Sequence, residues 1–377
     1  MSDDRKPIEA FLIEYSDSSF TNPHEAVLPD VPKDCRGAFT HMGAKYWGIE
    51  SKRHKATSVL QGEDGFSYSH NAHNSFLIGL KQRAEIDTVT ISTKWYTGNQ
   101  VRAVSIYLKD EMTGQKKLVL ERQPLSPDSE HSFSVPPTIA TECLVECYYE
   151  GGISRVNLFG EPTKDQMPEQ PNLLEGATVS HVSNIHYGQP DKAVNGVRKE
   201  MHMVGWESAR TGFGERALFH LKNPATVDEI IVDTYLHRLN APLACQMFAL
   251  NETDESKIDE LMKHAPRWKL VFSNGREVIP ENFQDYMLNQ KYLQEKDISD
   301  PTQFKIKLHV EKDSPWKQLL PFAPLTPDTY HRFSKLGNCG TVTHILYMHY
   351  PNGGIHGLKV RGKENTAAKK PGPGPKM

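Results

Sequence analysis

The chain is 377 residues long, 37% apolar and 24% charged, with 44 Lys+Arg against 47 Asp+Glu for a formal charge of −3. At roughly 150 residues per domain the length predicts two or three domains, each large enough for its own core. The near-neutral balance supplies no surplus positive field for a phosphate backbone, which argues against nucleic-acid binding, and no run of about 18 apolar residues exists to span a bilayer.

The opening residues Met1-Ser2-Asp3-Asp4-Arg5-Lys6-Pro7 are too polar for a signal peptide. Five cysteines (Cys35, Cys143, Cys147, Cys245, Cys339) show no disulfide-framework spacing, which fits a reducing, cytoplasmic compartment. Cys143 and Cys147 fall in a run that reads as a strand, so they are expected to be structural thiols.

The elements, taken in chain order, are written twice. Residues 16–27 align with 183–194, sharing Ser16/Ser183, Pro23/Pro190, Ala26/Ala193 and Val27/Val194. Phe76 to Thr93 and Ala217 to Thr234 each give an apolar run, a Lys-containing turn and a second run with β-branched residues, and both read as paired strands. Pro124-Leu125-Ser126-Pro127-Asp128 returns as Pro324-Leu325-Thr326-Pro327-Asp328, and each copy closes alike, Gly151-Gly152-Ile153 to Gly160 and Gly353-Gly354-Ile355 to Gly362. Such duplication of a supersecondary block governs the fold.

The spacing between equivalent positions widens after the paired runs, so the second copy carries an insertion over about residues 251–315. There Ile258, Leu261 and Met262, and again Phe283, Tyr286 and Met287, stand at helical spacing among charged neighbours and predict two short amphipathic helices. Elsewhere short strands punctuated by Gly, Pro, Asn and Asp predict an all-β chain of two tandem jelly-roll β-sandwich repeats, 10–162 and 175–363. The polar, proline-bearing stretch 163–174 reads as a linker, and the tail 364–377, with Pro371, Pro373 and Pro375, as disordered.

Three groups of side chains could do chemistry. Glu207 and Arg210 follow Gly205-Trp206, with the echo Glu50 and Arg53 after Gly48-Ile49; the arginine could grip a carboxylate or urea-like oxygen while the glutamate moves protons, or the pair could be a surface salt bridge worth under about 1 kcal/mol. Asp233, Thr234 and Asn240 match Ser92, Thr93 and Asn99, placing polar groups at a sandwich mouth or using Asn for a turn. His186, like His70 and His73, is a polar loop residue or a functional one. HExxH and paired CxxC spacings are absent, as are GxSxG and the glycine-rich nucleotide loops.

Taken together, these motifs resemble the allantoicase (allantoate amidinohydrolase) family, whose two repeats each carry Asp-Gly-Trp-Glu-Thr-x-Arg, Asp-Thr-x-x-Phe-x-Gly-Asn, Pro-Leu-x-Pro and a closing Asp-Gly-Gly-x-x-Arg segment. The resemblance covers about residues 10–162 and 175–363 and implies two galactose-binding-like jelly rolls that split allantoate into ureidoglycolate and urea in allantoin degradation. It assigns Glu207, Arg210 and His186 to catalysis and Asp233, Asn240, Glu50, Arg53, Asn99 and Arg155 to substrate binding. The motif's leading Asp is replaced by Trp47 and Val204, the Asp of Asp-Thr by Ser92, the Gly before Asn by Leu239, and the arginine after the second Gly-Gly by Gly357. Those departures leave open a lyase or cyclase acting on another small molecule, or a non-catalytic ligand-binding sandwich. The partner expected is a small ureido acid, with no nucleic acid or membrane; exposed sheet edges fit a homo-oligomer. No redox cofactor is needed, while histidines and carboxylates could hold a divalent metal ion loosely.

Overall fold

In the computed structural model the described residues are 5–18, 21–40, 43–166, 171–196, 198 and 205–365. The chain divides into two compact units, 1–169 and 170–377.

The first unit is built on two strands of 19 residues, Asn74–Ser92 and Glu130–Tyr148, paired antiparallel. Register shifts between Ser134 and Thr138 and between Ala140 and Glu142 bend this ribbon, as extra residues in one strand do. Before the bend it carries Ala10–Tyr15, Ala103–Asp110 and, beyond that, Gln115–Pro124; past the bend Asn74–Ser92 takes Arg155–Pro162. A bent sheet of this kind serves both layers of a jelly-roll sandwich, with Leu12, Phe76, Ile91, Ile106, Val145 and Leu158 facing inward. Phe76 to Thr93 is therefore not two strands joined by a turn. Lys81 sits exposed along one continuous strand, because the flanking residues keep extended backbone and find partners on both sides of the kink.

The second unit repeats the plan. Glu215–Asp233, again 19 residues, pairs with Thr178–Ser180, Val342–Tyr350, Tyr330–Phe333 and Gly357–Glu364, while Val342–Tyr350 also pairs with Ala244–Leu250 and that strand with Lys317–Pro324. Lys222 is exposed on the long strand, so the turn expected there is likewise absent. Trp206, Phe219, Ile230, Met247, Ile345 and Tyr347 fill its core.

All nine residues of Val342–Tyr350 are buried, which a sandwich strand with one wet face could not be. The insertion covers the other face. Its helices, Ile258–Lys263 and Phe283–Leu288, stand where the spacing placed them. Ile258, Met262, Trp268 and Trp316 pack on Leu218, Phe248, Leu346 and Met348, each large side chain contributing about 1.5–3 kcal/mol of apolar burial. The insertion also holds an unanticipated three-stranded sheet, Glu277–Val278, Arg267–Phe272 and Phe304–His309.

Thr163 and Gln166 bond the backbone of Arg83, and Leu173 bonds Val360, so the stretch 163–174 is fastened at both ends; its residues 167–170 lie outside the described residues, as do 366–377 of the tail. All five cysteines are free thiols, and burial pushes that of Cys143 up to about 12. Among the described residues no helix is long and apolar enough to cross a membrane.

Candidate functional site

Each unit builds the same small station at one end of its sandwich. In the first, Glu50 lies in a two-residue strand paired across to Gly152 of the Gly-Gly turn; in the second, Glu207 pairs across to Gly354. The loop after the long strand packs over that turn. Thr93 Oγ1 donates to Ser126 O (2.6 Å) and Thr234 Oγ1 to Thr326 O (2.8 Å). Asp128 and Asp328 accept from the backbone N–H of Trp95 (2.8 Å) and Leu236 (2.7 Å), holding both residues at positive φ. The Pro-Leu-x-Pro-Asp motif thus anchors the loop that presents Asn99 or Asn240.

The glycines have a steric reason. A Cβ on Gly152 would stand 2.1 Å from the ring of Tyr96, and one on Gly354 would stand 2.1 Å from the ring of His237. The loop's aromatic residue lies flat against the turn, so no side chain fits there.

In the first unit, Glu50, Arg53 and Asn99 come together. Asn99 Nδ2 donates to Glu50 Oε1 at 2.8 Å; Glu50 Oε2 is buried and has no hydrogen-bond partner. Burial pushes the Glu50 carboxyl up, against the Asn99 bond and the attraction of exposed Arg53. Asn99 also lines a depression of about 250 Å³ with Arg36, Lys45, Tyr46, Trp47 and Trp95. Trp47 and Trp95 stack at 5.9 Å, and the Arg36 guanidinium lies 4.9 Å from the Trp95 ring.

In the second unit His237 takes the place of Tyr96. It is buried, it meets Asn240 Oδ1 through Nδ1 at 3.3 Å, and Glu207 acts on it electrostatically. Burial lowers the proton affinity of His237, with Glu207 opposing. Behind it His349, in ring contact with Trp206 at 4.8 Å, is pushed down to about 3 by complete burial. Glu207 and Asn240 therefore converge through His237. His186 is exposed, its backbone N–H bonding Glu207 O (3.2 Å), and Arg210 is exposed on the following turn.

Two expected substrate-binding groups are engaged elsewhere. Arg155 is buried and spends its guanidinium on Asp30 (Oδ1 3.3 Å, backbone O 3.0 Å) and Ser154 O. Asp233 is bound bidentately by Arg198 at 2.8 and 2.9 Å, with the rings of Tyr235 and Tyr330 flanking the guanidinium. Neither is poised as a ligand clamp, because Arg155 is itself buried against Asp30 and two backbone oxygens while Asp233 is held by part-buried Arg198. Val204 lies outside the described residues.

Sequence reasoning missed His237, His349 and Arg198. His237 stands in register with Tyr96 in the matched segments, but a ring shared by both copies reads as packing; Arg198 carries no motif signal at all. Among the described residues, one group of three could hold a metal: His220, Glu255 and His344. It lies five residues along the long strand from Glu215, about 17 Å from that end.

The allantoicase-repeat family model matches residues 5–163, 171–299 and 277–365. The chain belongs to the allantoicase family. A probable allantoicase of Nocardia farcinica is 22% identical over 92% of this chain and 89% of its own length, and one of Pseudomonas fluorescens is 24% identical over 93% and 92%. The crystal structure of allantoicase from Saccharomyces cerevisiae aligns over 94% of this chain and 90% of its own at 19% identity, with a TM-score of 0.32.

Proposed function

We propose that the protein hydrolyses allantoate to ureidoglycolate and urea. The observation that carries this reading is Glu50: a buried carboxyl with one oxygen held by Asn99 and the other without a partner, next to a small depression that Asn99 shares. Hydrolysis breaks a C–N bond at the central carbon; water oxygen becomes the new hydroxyl, and the departing urea nitrogen must gain a proton. A carboxyl pushed up by burial is suited to donate that proton, and Asn99 fixes its orientation. Arg53 supplies positive charge for the substrate carboxylate. In the second unit Glu207 would fill the same role, with Arg210 as clamp and Asn240, His186 and His237 orienting.

Purified protein incubated with allantoate should release urea. Turnover should fall by about 10² or more in Glu50→Gln, on the usual general-acid scale, and a similar fall in Glu207→Gln would show that both stations work. Urea release unchanged in both variants removes the proposed chemistry; no urea from folded wild type removes the substrate.

Trp47 favours a second reading for the first unit. Where the family motif writes Asp, this chain stacks an indole on Trp95 beneath Arg36, a platform suited to a flat small molecule and so to ligand binding or to a lyase or cyclase reaction. Quenching of tryptophan fluorescence by such a ligand, lost in Trp95→Ala, would support it.

A further inference from the structure

We infer that His220, Glu255 and His344 form a site for a divalent transition-metal ion, Zn²⁺ being the fitting case, that ties the insertion to the sandwich of the second unit. His220 and His344 are directly cross-strand partners on Glu215–Asp233 and Val342–Tyr350, on the face the insertion covers. Glu255 comes from the insertion, in the 3₁₀ turn Glu255–Lys257 just ahead of the first helix. The ligand atoms all lie within 4.8 Å of one another.

The two histidine-to-carboxylate separations suit a metal, and the imidazoles, stacked at 4.4 Å with planes 12° apart, would turn about their side-chain bonds to share it. His220 Nε2 lies 3.3 Å and His344 Nε2 3.5 Å from Glu255 Oε1. Tetrahedral bonds of about 2.0–2.1 Å place neighbouring ligand atoms about 3.3–3.4 Å apart. Two imidazole nitrogens and a carboxylate are a borderline donor set that favours zinc and its neighbours over magnesium or calcium.

The hydrogen bonding around His344 makes the case sharper. Thr343 Oγ1 has one proton and three acceptors in reach, Glu252 O at 2.8 Å, Leu250 O at 3.1 Å and His344 Nδ1 at 2.9 Å. With that proton on either carbonyl, the hydroxyl accepts from His344 Nδ1–H. In that tautomer the lone pair of the neutral ring sits on buried Nε2, whose nearest polar neighbour here is Glu255 Oε1 at 3.5 Å. A lone pair aimed at a carboxylate oxygen is repulsive unless a cation stands between them. The Thr343 contact is also the kind of outer hydrogen bond that fixes the tautomer of a metal-bound histidine.

The first unit has no counterpart. The positions equivalent to His220 and His344 are Gly79 and Glu142, again cross-strand partners, and no insertion stands over them. The site thus depends on the insertion for Glu255 and is separate from the Glu–Asn stations.

Calorimetric titration of the full chain with Zn²⁺, after treatment with chelator, tests the site. One ion should bind, and affinity should fall at least tenfold in both Glu255→Gln and His220→Gln, whose side chains are exposed enough to change without loss of fold. The thermal midpoint should rise with Zn²⁺ in wild type and stay put in the variants, because only the folded chain brings the three ligands together. Absence of Zn²⁺ binding to wild type, or binding of equal affinity in both folded variants, overturns the site, and neither outcome bears on urea release.

Discussion

Asp233→Ala should cost stability first and substrate affinity only secondarily. The sequence pattern places Asp233 among substrate-binding residues, whereas the structure gives its carboxylate to Arg198 through two bonds of 2.8 and 2.9 Å. The two side chains are 6% and 12% exposed, so removing the acid strands a guanidinium out of water. Breaking such a pair typically costs about 3–5 kcal/mol. Asp328 also attracts Arg198, and two tyrosine rings flank it, so the low end, about 3 kcal/mol, is expected. For a unit of about 200 residues that lowers the melting midpoint by roughly 6–12 °C. Urea denaturation of wild type, Asp233→Ala, Arg198→Met and the double variant gives the coupling directly. The double variant should recover much of the loss, since paired apolar side chains replace a buried ion pair with little penalty. A loss below about 0.5 kcal/mol in Asp233→Ala, together with a large rise in KM, would return Asp233 to the substrate.

Three further outcomes follow from the geometry. His349 is pushed down to about 3 in the folded chain against an ordinary value near 6.5; the unfolded chain binds the extra proton between those limits, so stability is whole above about pH 6.5 and falls as the pH drops. His349→Leu should therefore shrink the difference in unfolding free energy between pH 6.5 and 5 by ~2 kcal/mol, and an unchanged difference would mean the ring is not buried neutral. Gly354→Ala should destabilise by about 1–3 kcal/mol by driving into His237, whereas Gly98→Ala, with nothing within 4 Å, should be neutral; equal midpoints for the two would refute the close packing of the turn. Thiol labelling of the native protein should find only Cys35, because the other four cysteines are buried, and rapid labelling of more than one would contradict that.

What the sequence made legible was what the duplication writes twice, two sandwiches and their paired anchors, and the insertion that breaks the register between the copies. Glu50 with Asn99, and Glu207 with Asn240, could be matched because both motifs flank the same glycine turn. The long strands misled because an apolar–lysine–apolar pattern is common to a turn and to a bulged bend, and only pairing partners on both sides decide between them. The insertion's strands were hidden for a different reason. Phe304-Lys305-Ile306-Lys307 alternates over too few residues to stand out, and its stability comes from packing Phe272 on Phe304 at 5.5 Å, a contact between segments far apart in the chain.

The departures from the family motifs read differently once the strands are paired. Arg155 lies directly across from Ser92, and Gly357 directly across from Asp233. Each unit has one long and one small side chain at this cross-strand position, with the long one on opposite strands. In this chain a Cβ at Gly357 would stand 3.1 Å from that of Asp233, closer than most side chains approach. Each unit nevertheless ends with an arginine bound to a carboxylate, Arg155 with Asp30 in one and Arg198 with Asp233 in the other. Each unit thus keeps one member of the motif's Asp and Arg, and in each that member takes its partner from another segment. The departures that touch the Glu–Asn station itself are fewer, and among the described positions the largest is Trp47, whose backbone oxygen accepts from Tyr96 while its indole forms the wall of the depression. If the two units differ in what they bind, the difference originates in that wall rather than in the shared glutamate and asparagine.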